Sequence, residues 1–534
     1  MRLFSQKILF CTSILVINLG ILMTFIVYPN MYCKQFTIFA FYREPDTVPC
    51  MVFRYSLIVY FSIVVIILIM TFVSSYYIKF YNMDNPNYTL PFTQRRKNIA
   101  VFVPVYSESK ESLYNTIKSV VDSDYPKSSK MLIIVVDGVK QGLGNDDFSS
   151  EYAKQILNAV QNISIDSNYE IYIGSYKGVE YLLLIKNVNK GKKDSFLVLQ
   201  KLLYYSYDYT INDADSIHLD LRCRDSEFEK FKNIKQLVSN IELNKIEYIM
   251  MLDTDTRVDN KAITCLVDYL DINIKTSAVC GETSISNKDS NILTSAQYFE
   301  YFVTHYTLKA FESIYGNVLV LSGCFTLYRT SILINKQLIN LYEDEDSDNI
   351  YTANISKLGE DRFLTNLLLK FYPKFDAKYI KNAICYTDAP NDIKTFLCQR
   401  RRWTNSLIFC HLWLLLNTPK YNLFKRFRFI FIIVFELWIV LCMPMLLTIG
   451  YYYMILFIYN SISYNIVDVF GIIQTIILFV FSTIIAIVLN HFDMIYYSIT
   501  FTFSVPLFSI IVPIYSIYFC DYIVWGNTRK TIKN

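Results

Sequence analysis

Long apolar runs at both ends of the chain constrain its fold more than any other feature. A helix that crosses a bilayer needs about 20 consecutive apolar residues. Only 18% of the residues are charged, whereas soluble globular proteins carry about 25%. Apolar runs of about the required length fall at 8–28, 56–77, 429–459, 467–489 and 493–519. The sequence therefore predicts a multi-pass membrane protein.

The residues that flank and interrupt these runs bear on topology. The first run could be a signal peptide, but it lacks a small-residue cleavage site and a second run follows closely, which favours a helical hairpin. Basic clusters at 94–98 and 425–428 favour a cytoplasmic middle region. The number of crossings after the second cluster stays open, because Pro444, Pro506 and Pro513 could divide or kink the helices.

The chain divides into five predicted segments. They are an N-terminal transmembrane hairpin (1–77), a cytoplasmic α/β domain (78–391), interfacial helices (392–428), transmembrane helices (429–519) and a cytoplasmic tail (520–534). The α/β segment is long enough to bury a core of its own. The stretch 404–417 is apolar but short for a span, which is typical of a helix that lies on the membrane surface.

Four short apolar runs in the middle segment end in polar residues and alternate with helix-compatible stretches. They lie at 97–106, 130–138, 181–187 and 246–256. Continuous apolar strands separated by helices indicate a mainly parallel α/β sheet. In such sheets the ligand binds at the carboxyl ends of the strands. The acidic residues at these ends are Glu108, Asp137, Asp253 and Asp255.

Three of these strand ends carry candidate binding residues. Asp253 and Asp255 form a D-x-D pair, and two acids at the tip of an apolar strand are costly unless a cation such as Mg²⁺ binds them. D-x-D alone is a weak motif, since surface acids occur by chance. Asp137 precedes a glycine and is either a turn residue or an acceptor for a base or ribose. Segment 189–195 holds three lysines and is either a solvated loop or a cradle for a diphosphate.

Two further stretches suggest chemistry close to the membrane. The sequence GEDR at 359–362 opens a helix, where Glu360 and Asp361 are either simple partners of the helix dipole or include a general base at Asp361. The sequence QRRRW at 399–403 is either a membrane-surface patch or part of a site. In the second interpretation Arg402 binds a phosphate through paired hydrogen bonds and Trp403 stacks on a sugar ring.

Composition argues against several other functions. A net charge of +4 is too small to indicate nucleic-acid binding. The four histidines are far apart, and the 12 cysteines contain no C-x-x-C pair, which argues against a zinc site. Cys33 and Cys50 lie in the loop between the first two apolar runs, where they either form a disulfide or remain free thiols.

Taken together, these motifs resemble those of the chitin synthases, which are processive glycosyltransferases of the GT-A type. The resemblance runs in order from about residue 98 to residue 529, through VPVYSES, VVDG, GKKDS, LDTDT, GEDRFLTNLLL and QRRRW. Its most specific parts are the block at 297–329 and the tail DYIVWGNTR at 521–529. It implies a GT-A domain inserted between transmembrane helices.

The resemblance also implies a role for each candidate residue. Asp253 and Asp255 would hold Mg²⁺ or Mn²⁺ with the nucleotide, Asp255 being the more direct ligand, and Asp361 would be the base beside Glu360. The nucleotide site would be formed by Glu108, Asp137, Lys192, Lys193, Asp194 and Asp253. The diphosphate and acceptor sites would be shaped by Gln399, Arg402 and Trp403, and closed from the tail by Trp525 and Arg529.

The implied reaction transfers N-acetylglucosamine from UDP-N-acetylglucosamine to the 4-hydroxyl of a growing β-1,4-linked chitin chain, with inversion. The helices of 429–519, with the segment 392–416, would export the polymer through the lipid bilayer of the plasma membrane, with the catalytic domain in the cytoplasm. A homo-oligomer is compatible with this. The alternatives are a hyaluronan- or cellulose-type synthase, a transferase acting on a lipid-linked sugar, an inactive scaffold-like relative, and a transporter or receptor without enzymatic activity.

Overall fold

The computed structural model describes most of the predicted α/β domain and part of the predicted membrane segments. The described residues are 2–27, 69–70, 73–74, 77, 96–142, 144–160, 169–207, 241–344, 349–464, 483–484 and 486–523. The predicted runs at 56–77 and 467–489 fall largely outside the described residues. The candidate disulfide of Cys33 and Cys50, and the tail residues Trp525 and Arg529, fall wholly outside them.

A mixed sheet organises the middle of the chain, and in the described residues it has nine strands in the order β3-β4-β2-β1-β5-β8-β7-β9-β6. Strands β4, β2, β1 and β5 pair in parallel, and β7 pairs in parallel with β9. The other pairs are antiparallel. The strands are β1 (Ile99–Val105), β2 (Lys130–Asp137), β3 (Tyr169–Tyr176), β4 (Val179–Lys186), β5 (Tyr248–Leu252), β6 (Arg257–Val258), β7 (Thr276–Ile285), β8 (Phe325–Arg329) and β9 (Asp376–Thr387).

The four strands predicted from apolar runs are confirmed as β1, β2, β4 and β5. The expectation of a mainly parallel sheet holds for this central group alone, because β3, β6 and β8 pair antiparallel with their neighbours. The sequence signal of a strand buried on both faces is strong only for the central strands, so it did not reveal the outer part of the sheet.

Helices cover both faces of the sheet and continue into the membrane segments. They are α1 (Arg2–Leu22), α2 (Lys110–Asp122), α3 (Ser149–Leu157), α4 (Lys192–Ser206), α5 (Ala262–Ile272), α6 (Ile292–Tyr301), α7 (Lys309–Tyr315), α8 (Thr330–Leu333), α9 (Lys336–Glu343), α10 (Ile350–Ala353), α11 (Glu360–Phe371), α12 (Ile393–Leu416), α13 (Leu423–Tyr464), α14 (Ile495–Pro506) and α15 (Val512–Tyr518).

Alternate residues of each central strand enter two different hydrophobic cores. In β1, Ala100 and Phe102 join one core, which we call the membrane-side core, while Val101 and Val103 join the other. Side chains of a strand point alternately to opposite faces of the sheet, so a strand buried on both faces must be apolar at every position. This explains why the central strands are continuous apolar runs.

The membrane-side core extends from the sheet into the first long C-terminal helix. Phe429, Ile432 and Ile433 of α13 belong to the same cluster as Phe102 of β1. Burying apolar area contributes roughly 25 cal/mol per Å², so a shared core holds the two parts together. The α/β segment and α13 therefore share one hydrophobic core.

Three described helices are long and apolar enough to cross a membrane: Leu3–Val27, Leu423–Tyr452 and Phe492–Tyr518. They correspond to the predicted runs at 8–28, 429–459 and 493–519. Pro444 lies inside α13, which continues through it as one helix rather than two short passes. From Ile495 to Tyr518 the chain is helical throughout, with a π-helical turn between the parts that carry Pro506 and Pro513.

The predicted interfacial stretch belongs to α12, which begins at an Asp392 cap and is continuous through the QRRRW sequence. Ile408, Phe409 and Leu414 of this helix are buried in the membrane-side core. Much of its apolar character is thus explained by packing against the protein. Its contact with lipid remains a prediction.

Candidate functional site

A cavity of about 600 Å³ opens at the carboxyl ends of β1, β2 and β5. The starts of α4 and α11 and the first half of α12 complete its wall, so residues far apart in sequence meet there. The candidate residues that line it are Glu108, Asp137, Lys192, Lys193, Asp253, Asp255, Glu360, Gln399 and Arg402. Asp194, Asp361 and Trp403 lie outside this lining, and Trp525 and Arg529 lie outside the described residues.

The D-x-D pair is held in place by the threonine between its two acids. The Thr254 hydroxyl donates to the carbonyl of Pro104 in β1, and the Thr254 carbonyl accepts from Thr116 Oγ1 at 2.7 Å. Asp255 Oδ1 accepts a long hydrogen bond from Thr387 Oγ1 at 3.4 Å. The loop is therefore fixed by its middle residue, and both acids line the cavity.

Asp137 fixes the lysine-rich loop through both carboxylate oxygens. Oδ1 accepts from the backbone N–H of Lys190 at 3.0 Å and pairs with Lys186 Nζ at 2.6 Å, while Oδ2 accepts from the N–H of Gly191 at 2.7 Å. Lys186 also pairs with Asp194 at 2.7 Å and is only 2% exposed. Asp194 therefore lies outside the cavity lining, where it forms an ion pair with Lys186.

Lys192 lies among the acids at the base of the cavity. Its Nζ is 2.5 Å from Asp253 Oδ1 and 3.9 Å from Glu360 Oε1. Burial alone would lower the pKa of Lys192, but the Asp253 and Glu360 carboxylates raise it above its ordinary value. The side chain is therefore a permanent cation at neutral pH.

Glu360 and Asp361 begin α11 but take different positions. Glu360 lines the cavity and is 8% exposed. Burial, and then the neighbouring Asp361 carboxylate, raises the pKa of Glu360, while Lys192 and Arg402 act in the opposite direction. Asp361 lies just behind the lining, where its Oδ2 accepts from the backbone N–H of Gly323 at 3.3 Å.

Close contact between α11 and α12 brings the GEDR and QRRRW sequences together. A Cβ on Gly359 would lie 2.4 Å from the Cβ of Ser406, which shows that only glycine allows this approach. Further along the two helices, Asn366 Nδ2 donates to the carbonyl of Cys410 at 3.0 Å. The packing brings Glu360 into the same cavity wall as Arg402 and Gln399.

The three arginines of QRRRW have three different environments. Arg402 lines the cavity, whereas Arg400 lies 4.2 Å from the centre of the Trp403 ring and pairs with Glu300 at 2.5 Å. Trp403 itself packs against Tyr301, outside the cavity lining. In this conformation Trp403 supports the wall, and stacking on a sugar would require an acceptor that reaches beyond the described cavity.

Arg401 binds the first residues of the C-terminal tail through Tyr522. It is 2% exposed, and its Nη1 donates to the carbonyl of Tyr522 at 2.7 Å. Asn354 Nδ2 donates to the carbonyl of Cys520 at 2.9 Å, and Lys7 pairs with Asp521 at 2.8 Å. These contacts place Ile523 in the cavity wall.

Sequence reasoning missed the contacts that four residues make around the site: Lys186, Gly323, Gly359 and Arg401. Lys186 ends an apolar strand and looked like an ordinary polar boundary. The two glycines are needed for close approaches that no local pattern reveals, and Arg401 is masked by its arginine neighbours. One signal was available for Lys186: it ends a predicted strand, as Asp137 does, and the two could have been predicted to form an ion pair if their strands were neighbours.

The two D-x-D carboxylates suit a hard divalent cation whose remaining ligands come from elsewhere. Across the described ranges there is no group of three or more His, Cys, Asp or Glu side chains that could hold a metal ion. Mg²⁺ is often bound by one or two carboxylates together with substrate phosphates. Asp253 and Asp255, beside a cavity that also contains Lys192 and Arg402, fit that kind of shared coordination.

Comparisons with known proteins define the family. The sequence model described as chitin synthase matches residues 73–180 and 179–534, so the chain belongs to the chitin synthase family. This confirms the resemblance found in the sequence. Together with the mixed sheet and the apolar helices, it confirms the predicted fold class of a GT-A-type α/β domain between transmembrane helices.

Curated relatives are much longer than the matched region. The chain is 29% identical to chitin synthase 8 of Mycosarcoma maydis over 461 residues, covering 80% of this chain and 22% of the relative. It is 30% identical to chitin synthase 3 of Saccharomyces cerevisiae over 478 residues, covering 80% of this chain and 40% of the relative. The chain thus spans less than half the length of these relatives.

A solved mannosyltransferase from Pyrobaculum calidifontis, in complex with GDP-Man and Mn²⁺, is similar at 12% identity with a TM-score of 0.43. The alignment covers 82% of this chain and 94% of that chain. At this score the likeness bears on neither fold nor function, which rest on the family match and the site geometry.

The α11–α12 contact can be tested with Gly359→Ala. Inserting a methyl group into a packed contact typically costs about 1–3 kcal/mol, so the variant should melt at a lower temperature in detergent. The double variant Gly359→Ala/Ser406→Gly removes the Ser406 side chain that the new methyl group would strike, and should recover most of the loss. Equal melting temperatures for Gly359→Ala and the parent chain would contradict the contact.

Lys186→Met tests the buried ion pair behind the lysine-rich loop. The change leaves Asp137, which is 4% exposed, without its cation, and breaking such a pair costs about 3–5 kcal/mol. Lys97→Met is the matched control, since the Lys97–Glu247 pair is 43% and 39% exposed and should contribute less than about 1 kcal/mol. Similar losses in thermal stability for the two variants would refute a special role for Lys186.

Proposed function

We propose that the chain is a chitin synthase that transfers N-acetylglucosamine from UDP-N-acetylglucosamine to the 4-hydroxyl of a growing β-1,4-linked chain. The observation that carries this proposal is the single cavity where the D-x-D, GKKDS, GEDR and QRRRW sequences meet. Membership in the chitin synthase family supports this choice of substrate. The anomeric configuration is inverted, because one displacement connects donor and acceptor.

The donor nucleotide occupies the side of the cavity formed by β1, β2 and the start of α4. Glu108 and Asp137 face the uridine. An ionised carboxylate oxygen can accept two hydrogen bonds, and Asp137 Oδ2 accepts from Gly191 N–H at 2.7 Å, which leaves capacity for a uracil N–H. Lys192, Lys193 and Arg402 face the diphosphate.

Mg²⁺ or Mn²⁺ fits beside the diphosphate, with Asp255 and Asp253 as its protein ligands. When bound, the ion offsets the charge that develops on the leaving diphosphate. Arg402 contributes to the same stabilisation from the protein side, because a fixed cation in a partly buried site interacts strongly with developing negative charge. Gln399 lines the cavity, and its Oε1 has no hydrogen-bond partner among the described residues, so we assign it as an acceptor for a sugar hydroxyl or amide.

The acceptor hydroxyl must lose a proton as it attacks, and we assign this task to Asp361. The residue begins α11, where the helix dipole favours a negative charge, and its carboxylate is held by Gly323 N–H at 3.3 Å. Its neighbour Glu360 lines the cavity, and the charge of each carboxylate affects the other. Accurate placement of the two sugars supplies much of the remaining rate gain.

The position of the cavity supports export of the polymer through the membrane helices. The cavity wall includes residues of α12, and α12 packs in the core that also contains α13. An insoluble product made at this point can enter the helices without crossing the cytoplasm. We therefore place the protein in the plasma membrane, with the α/β domain on the cytoplasmic side and the helices of 429–519 around the exit path.

The proposal predicts the outcome of a synthesis assay with the full chain in detergent. With radiolabelled UDP-N-acetylglucosamine and Mg²⁺ or Mn²⁺, the product should be insoluble and sensitive to chitinase, and EDTA should abolish it. Asp361→Asn should lower the rate at least 100-fold, a typical loss for a missing general base. Asp122→Asn, at an exposed position on α2, should leave the rate unchanged.

The same assay separates the proposal from its alternatives. Incorporation of glucose or glucuronate in place of N-acetylglucosamine would assign the chain to another class of polysaccharide synthase. A folded protein that makes no polymer from any of these donors would count against catalytic function altogether.

A further inference from the structure

The Lys192 ammonium contacts the first carboxylate of the D-x-D pair. Its Nζ contacts Asp253 at 2.5 Å and lies 3.9 Å from Glu360, and it donates a long hydrogen bond to the Gly323 carbonyl at 3.4 Å. A Cβ on Gly323 would lie 3.0 Å from this ammonium. A side chain at residue 323 would crowd the flexible end of the lysine, so the glycine leaves this ammonium room.

The acids around Lys192 would otherwise repel one another. Asp253 and Asp255 flank Thr254 on one loop, and Glu360, at the start of α11, lies near the same ammonium. Ionised carboxylates that are partly removed from water are costly without a nearby cation. In the described structure, the Lys192 ammonium supplies that cation through direct contact with Asp253.

We propose that Lys192 is a resident counterion that holds the metal site when no donor is bound, and that the divalent cation must displace it from Asp253. The released ammonium then turns to the diphosphate that arrives with the metal. This inference rests on the proposed function, because it assumes a metal–nucleotide donor. It adds an exchange of cations that makes metal binding depend on the nucleotide.

A lysine side chain is suited to such an exchange. Its ammonium is a compact charge on a flexible four-carbon stem, so it can move between a carboxylate and a phosphate by rotating single bonds. Lys192 is also the first residue of α4, directly after the loop fixed by Asp137. The backbone is thus held still while the side chain remains free to change partners.

The exchange has a thermodynamic consequence that can be measured without turnover. If the nucleotide gives Lys192 a new partner, it lowers the cost of metal binding, and the metal must strengthen nucleotide binding by the same factor. In the parent chain Mn²⁺ should therefore bind weakly alone and more tightly with UDP. Removing the ammonium should strengthen binding of Mn²⁺ alone and weaken binding of UDP.

The experiment measures Mn²⁺ binding to the purified full chain in detergent, from the electron paramagnetic resonance signal of free Mn²⁺, with and without UDP. Without UDP, Lys192→Met should bind Mn²⁺ about tenfold more tightly than the parent, and the enhancement by UDP should shrink by a similar factor, as a coupling of ordinary size. Lys192→Arg keeps the charge and should behave like the parent. Lys97→Met removes a lysine far from the cavity and should change neither constant.

Each outcome bears on the inference. Unchanged or weaker Mn²⁺ binding by Lys192→Met, measured in a variant that melts like the parent, overturns the exchange even when the parent chain makes chitin. Tighter Mn²⁺ binding supports the exchange even when polymer synthesis fails, which separates it from the proposed function. Loss of Mn²⁺ binding in every variant, with UDP present, overturns both.

Discussion

The convergence of carboxylates from separate strands and helices on one cavity is the constraint on which the rest of the structure depends. Asp137, Asp253 and Glu360 come from distant parts of the sequence, and each is held by a buried or partly buried cation or by backbone N–H groups. Such a group of acids is stable only where the surrounding charges are arranged in advance. Lys186 pairs with Asp137 from outside the cavity lining, and Lys192 pairs with Asp253 within it.

The position of the cavity matters as much as its chemistry. Its wall includes residues of α12, whose apolar face lies in a core shared with the sheet and with the membrane helix α13. Gly359 and Ser406 bring the start of α11 against α12 closely enough to join the acidic and basic sequences. A site formed by this contact is built from both the α/β domain and the membrane-adjacent helices. This arrangement supports the proposal that the chain makes an insoluble polymer and exports it across the membrane.

Much of this organisation could be predicted from the sequence, because strong local patterns identify it. Continuous apolar strands gave β1, β2, β4 and β5, and their polar ends gave Asp137 and Asp253. The antiparallel strands and the contacts of Gly323 and Gly359 could not be predicted, since they depend on tertiary neighbours and have no period or spacing. The local pattern also could not show that Asp194 and Trp403 lie outside the cavity lining. Asp194 forms an ion pair with Lys186, and Trp403 packs against Tyr301.

The most direct test of a shared metal–nucleotide site is a cryo-electron microscopy structure of the full chain with UDP and Mn²⁺. The account predicts uracil density beside Glu108 and Asp137, the ion on Asp255, and the diphosphate between that ion and Arg402. A well-ordered nucleotide bound elsewhere, or an ion coordinated away from both residues of the D-x-D pair, would contradict it.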